Sequence, residues 1–103
     1  MKKFICGLLI SLTTIANAGA YISNKDFIRW DEQKINSSFI IMYIMAVNDV
    51  YDGTVSCAPD TATGQDLYDT VFAFIKLSAI DDSAVASRTV IKALKRAFPC
   101  PNK

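Results

Sequence analysis

Apolar residues recur along the chain in stretches of helical spacing, separated by short clusters of aspartate, asparagine, serine, glycine and proline. The first predicted helix begins at Ser23 or Asn24, whose side chains can accept hydrogen bonds from the free amides of a first turn. Phe27, Ile28 and Trp30 form its apolar side, and it ends near Lys34. The second runs from Asn36, Ser37 or Ser38 to about Tyr51, where Asp49, Asp52 and Gly53 mark its end. Between Phe39 and Val47 every residue is apolar or tyrosine, so no face of this helix is polar. Such a segment belongs in the centre of the fold or against a second protomer. Isoleucine and tyrosine would also suit a buried strand, but Met42, Met45, Ala46 and the length of the run favour a helix.

A connection from Gly53 to Ala62 carries Cys57 and Pro59, and Thr63 with Asp66 then forms a capping box built on the shorter acid. This opens a third helix reaching about Leu77, with Leu67, Val71, Phe74 and Ile75 on one face. Tyr68 and Phe72 widen that face beyond what a single small core needs. Phe39, Met42, Tyr43, Met45, Tyr68 and Phe72 are therefore candidates for core or for a dimer face, and the pattern leaves the two open. Leu77 to Ser83 is a second connection, in which Asp81 and Asp82 suit the first turn of a fourth helix, where the dipole favours negative charge. In that helix Val90, Ile91, Leu94 and Phe98 face inward, while Arg88, Lys92, Lys95 and Arg96 line the other side. Pro99 stops it. The pattern as a whole predicts an all-α fold, a small bundle of about four helices.

The N-terminus has a different character. Lys2 and Lys3 precede an apolar run from Phe4 to Ile15, and Ala16, Asn17 and Ala18 place small residues where signal peptidase reads them. Residues 1–18 are thus expected to be a cleavable signal peptide, cut at Ala18 or alternatively at Ala20, with residues 19–103 forming a single helical domain. The run of roughly a dozen residues is short of the roughly 20 that a membrane span needs. Cys6 precedes the run, which excludes a lipoprotein, and no membrane attachment is expected of the mature form.

Cleavage changes the chemistry of what remains. Cys6 is lost, and Cys57 and Cys100 are left as an even pair in an oxidising compartment, where one disulfide is the expected state. Closing a loop of that length is worth about 4 kcal/mol by chain entropy. A chain of roughly 85 residues buries only about 60–65% of its unfolded surface, so such a link matters. With Lys2 and Lys3 removed, 9 of the 11 basic residues face 10 acidic ones, a net charge of −1 that argues against nucleic acid. The charge is uneven: seven aspartates and one lysine lie between Asp49 and Asp82, and five basic residues with no acid follow from Arg88 onward. Either a docking polarity or two solvated helix faces accounts for this.

Catalytic chemistry is poorly represented. The chain has no histidine, which removes the commonest general base and metal ligand. Glu32 is the sole glutamate, and beyond the signal region glycine occurs only at Gly53 and Gly64 apart from Gly19 beside the cleavage site, with no phosphate-cradling loop. Asp49 and Asp52, one turn apart, read as solvated or capping residues, and Asp60, Asp66 and Asp69 lack the spacing of a calcium loop. No metal, cofactor or enzymatic activity is expected; the chain reads as a binding protein.

Trp30, Phe39, Tyr43-Ile44, Val47, Asp49, then Cys57-Ala58-Pro59, Thr63, Gln65, and finally Ala93-Leu94 and Phe98-Pro99-Cys100 together resemble the Rap/Tai immunity proteins of type VI secretion. The likeness departs at Met42 and Ala46, where that family carries glycine on either side of the Tyr-Ile pair. It implies a periplasmic, all-helical, generally homodimeric antitoxin that blocks the cleft of a peptidoglycan amidase similar to NlpC/P60 cysteine peptidases. On that reading Ile80, Asp81, Asp82 and Ser83 are the candidate loop for entering the cleft, with Asp52 to Asp60 as a second candidate that the disulfide should hold close to the body. A periplasmic acid-stress chaperone, and an inhibitor of another cell-wall hydrolase such as a lysozyme, are the alternatives from other classes.

Overall fold

The computed structural model describes residues 21–101 and contains four α-helices: α1 (Asn24–Gln33), α2 (Ser37–Tyr51), α3 (Gly64–Leu77) and α4 (Ala86–Ala97). The expected signal peptide and its cleavage site lie outside the described residues. Among the described residues there is no strand, only isolated bridges between Ser23 and Val85 and between Asp52 and Ser56. The all-α expectation therefore holds, and no described helix is long and apolar enough to cross a membrane.

Local chemistry explains the starts of α1 and α3 and the turn between α1 and α2. Ser23 Oγ accepts from the Asp26 amide and Asp26 Oδ2 accepts from the Ser23 amide, both at 3.2 Å, so α1 starts in a capping box. Thr63 and Asp66 repeat the arrangement at the start of α3, at 3.1 and 2.9 Å. Each such cap stabilises a helix by about 1 kcal/mol. Between α1 and α2 the chain turns sharply through Lys34 and Asn36, both left-handed at φ 58° and 56°. Asparagine tolerates that region; for Lys34 it costs about 1 kcal/mol.

Helices α2, α3 and α4 pack on one another, and α1 lies across α2 and α4. The core is formed by Phe27 of α1, Ile40 and Ile44 of α2, Leu67, Val71, Phe72 and Ile75 of α3, and Ala86, Val90, Ala93 and Leu94 of α4. Full burial of a side chain such as Phe27 or Ile44 is worth about 1.5–3 kcal/mol. Phe27 is the hub: its ring stacks on Phe72 at 5.9 Å, meets Tyr43 edge-on at 5.2 Å and Trp30 at 6.4 Å. Of the residues expected inward, Phe74, Ile91 and Phe98 are only half-buried, whereas Ala93 and Ala86 are buried because small side chains let α4 approach its neighbours.

Gly64 permits the close approach of α3 to α2. A Cβ there would lie 2.8 Å from both Ile41 Cγ2 and Met45 Sδ. At the far end, Cys57 and Cys100 form the expected disulfide, with their Cα atoms 4.9 Å apart, and the Cys57 amide donates to the Phe98 carbonyl at 2.8 Å. The link joins the α2–α3 connection to the end of α4.

Replacing Cys57 and Cys100 together with alanine is expected to lower unfolding free energy by about 2–4 kcal/mol with the helical content retained, measured by urea titration followed by circular dichroism. Tyr68 gives a second test. Its hydroxyl donates to the Asp31 carboxylate, and burial, then that bond and the Asp31 charge, push the phenol above its ordinary value. A raised folded pKa contributes stability that is present below the unfolded value near 10 and lost as pH rises past it. Tyr68→Phe should therefore lose less stability than the wild type between about pH 10 and 12, as compared by melting temperatures across that range.

Candidate functional site

The connection between α3 and α4 differs from its sequence expectation. Asp81 and Asp82 do not lie in the first turn of a helix; α4 begins later, at Ala86, after Val85, which offers no side-chain cap. The reason is a partner distant in sequence. The Ala86 amide donates to the Ile22 carbonyl at 2.8 Å, so a backbone acceptor ahead of α1 takes the place of a capping side chain. Asp81 is engaged otherwise: its Oδ1 accepts from the Ser83 amide at 3.0 Å and the Ser83 hydroxyl at 2.8 Å. Those two bonds hold the Asp81 carboxyl below the usual carboxylate range. Asp81, Asp82 and Ser83 are exposed, while Ile80 is half-buried and packs against the core. Of the four candidate residues, then, three face solvent and one anchors the loop.

The second candidate loop is held as the cysteine pairing suggested. Besides the disulfide, Gly53, left-handed at φ 83°, turns the chain so that its amide donates to the Ser56 carbonyl at 2.8 Å, and Ser56 is buried. Beside it a groove of about 600 Å³ is lined by Thr54, Val55, Lys95, Pro99 and Pro101. A smaller groove of about 390 Å³ runs between α3 and α4, with Ala93 among its lining residues and Leu77, Phe74 and Arg96 around it.

The six candidates for core or dimer face divide between the two. Phe72 is buried, and Tyr43 and Tyr68 are half-buried in the aromatic cluster. Phe39, Met42 and Met45 are exposed, at 48, 69 and 42%. Val50, at 70%, extends the same side of α2. The helix therefore does not lie in the centre of the fold: Ile40 and Ile44 face the core, and the opposite side is open and mostly apolar, with the exposed Asp49 one turn from Met45. Met42 and Ala46, the positions where glycine was the family pattern, are both exposed, so they do not set the spacing between helices of this chain.

Other surfaces are polar. Arg88, Lys92, Lys95 and Arg96 are all exposed along α4, and among the described residues one ion pair is formed, between Arg29 and Asp26. Among the described residues no group of three metal-ligating side chains comes together. The sequence pattern gives no sign of the part played by Tyr21, Ile22 and Asn24. Asn24 is buried, its Nδ2 donates to the Asp81 carbonyl at 2.9 Å, and its amide donates to the Ala84 carbonyl at 2.9 Å. By its local sequence alone Asn24 is only a possible cap.

Compared with known protein families, residues 25–100 match the model of the Rap1a immunity proteins. That span includes all of α2, α3 and α4, nearly all of α1, and both cysteines of the disulfide. Neither the curated proteins nor the solved structures give a match.

The two sides of α2 should respond differently to charge. Met42→Asp is expected to change the stability of the folded monomer by no more than about 0.5 kcal/mol, because its side chain lies on the surface of the chain rather than in its core. Ile44→Asp should leave the chain unfolded, since an unpaired carboxylate would enter the core. Thermal melts of the two variants check this directly.

Proposed function

The chain belongs to the family of Rap1a immunity proteins, and from that membership we propose that it is a periplasmic antitoxin which binds a type VI secreted peptidoglycan amidase of NlpC/P60 type and blocks its cleft. The observation that carries the reading is the family match across residues 25–100, almost the whole of the described fold. A signal peptide at residues 1–18 would deliver the domain to the compartment in which such amidases act. The protein works by binding, without catalysis and without a cofactor or metal.

Occlusion falls to the connection between α3 and α4. Asp81, Asp82 and Ser83 present short polar side chains to solvent on a loop whose backbone is tied to the body of the fold. Carboxylates at the tip suit a cleft containing the imidazole of a Cys-His pair, where a buried charge-assisted contact is strong. The α2–α3 connection is less suited, being closed down by the disulfide and by the buried Ser56.

The open side of α2 has the character of a self-association face. Stable interfaces bury about 800 Å² on each partner and have an apolar centre. Phe39, Met42, Met45 and Val50 supply such a centre, and the proposed assembly is a homodimer packed through α2. Met42→Asp, which keeps the fold, is then expected to elute as a monomer on size exclusion where the wild type elutes as a dimer.

Replacing Asp81 and Asp82 together with lysine should weaken amidase inhibition by at least about a hundredfold, as reversing charge at a desolvated contact costs several kcal/mol, with only a small fall in melting temperature from loss of the exposed Asp81–Ser83 bonds. The measurement is a titration of amidase activity on peptidoglycan. A pull-down from related strains tests the class itself: a stoichiometric peptidoglycan amidase supports the reading. A broad set of unfolded proteins captured only at low pH would overturn it in favour of an acid-stress chaperone.

A further inference from the structure

The loop between α3 and α4 is held along one side by a single short segment. The carbonyls of Asp81, Asp82, Ser83 and Ala84 accept in turn from Asn24 Nδ2 at 2.9 Å, the Lys25 amide at 3.0 Å, the Tyr21 hydroxyl at 3.1 Å and the Asn24 amide at 2.9 Å. In the other direction the Ile22 carbonyl accepts from the Ala86 amide at 2.8 Å. Four consecutive carbonyls of the loop thus face residues 21–25. Asn24 supplies two of the four donors and is 1% exposed. The Asn24 and Lys25 amides belong to the first turn of α1, where backbone donors have no partner inside the helix. The loop satisfies them, and they fix the loop.

We infer that the segment Tyr21–Lys25, with Asn24 at its centre, positions the loop for its partner, so that Asn24 and Tyr21 govern inhibition through Asp81, Asp82 and Ser83 without touching the amidase. This rests on the reading of that loop as the occluding element. Asn24 is the stronger of the two, because its contacts are shielded from water, where a hydrogen bond has no solvent competitor. Tyr21 acts at an exposed site and contributes less. A further consequence concerns maturation: an N-terminus trimmed past Tyr21 and Ile22 keeps the core helices but loses the bond to the Ser83 carbonyl and the acceptor for the Ala86 amide.

The test uses the full processed chain in two arms. In the first, backbone hydrogen exchange is followed for the free protein. Asn24→Ala is expected to speed exchange at Ala84 and Ala86 by at least about tenfold, a local opening rather than a global one, with the core of α3 unchanged. Tyr21→Phe, which removes one exposed hydroxyl and leaves the fold intact, should give a smaller increase at the same amides. Unchanged exchange in both variants overturns the inference. The second arm measures inhibition of a peptidoglycan amidase of NlpC/P60 class by the wild type, by Asn24→Ala, and by each in the background carrying lysine at 81 and 82. A positioning residue weakens inhibition by about tenfold in the wild-type background and by less than about twofold once the loop contacts are gone. An equal loss in both backgrounds overturns it, since that is what general destabilisation produces. If the wild type inhibits no such amidase, the proposed function fails on its own account, whatever the exchange arm shows.

Discussion

Helix α2 carries apolar residues on every side, and three short helices can cover only part of its circumference. That mismatch between a helix hydrophobic all round and a domain too small to enclose it shapes the rest of the molecule. A chain of this size buries a modest fraction of its surface, and here the buried share goes to Ile40, Ile44 and the aromatic ring system around Phe27. Phe39, Met42, Met45 and Val50 are left outside. The disulfide belongs to the same constraint, because a small core that leaves four large apolar side chains of α2 uncovered gains from a covalent link that restricts the unfolded chain.

The features legible in the sequence are those decided locally or by arithmetic. The boxes at Ser23–Asp26 and Thr63–Asp66 involve residues three apart, so the starts of α1 and α3 could be read directly. Beyond the expected signal peptide the cysteines are an even pair, and that parity is enough to anticipate the Cys57–Cys100 bridge. The helical periods of α3 and α4 identified Leu67, Val71, Ile75, Val90 and Leu94 as core. By its period Phe72 lies at the margin of that face, yet it is buried, because Phe27 reaches across from α1 to stack on it.

What was not legible depends on partners remote in sequence. Nothing near Val85 announces that Ile22 caps α4, so the pattern places the preceding aspartates in a first turn although they belong to a loop. A uniformly apolar α2 likewise gives no sign of which half its neighbours will cover, since periodicity distinguishes faces only when they differ. The candidate loop is therefore legible from composition and family likeness, and the segment that holds it is not.

That hidden attachment bears on how so small a loop could serve as an inhibitor. Fixing the backbone of one residue costs about 1–2 kcal/mol, so ordering residues 80–84 only on binding would cost about 5–10 kcal/mol. A loss of that size is comparable to the whole free energy of a micromolar complex, about 8 kcal/mol. A free loop with two carboxylates would spend most of its contact energy on its own ordering. Bonds from residues 21–25 to four consecutive carbonyls meet that cost during folding, and they do so with donors that α1 would otherwise leave without partners. The same bonds complete the start of one helix and shape the surface proposed for recognition, so on that proposal stability and binding draw on one set of contacts at this end of the fold.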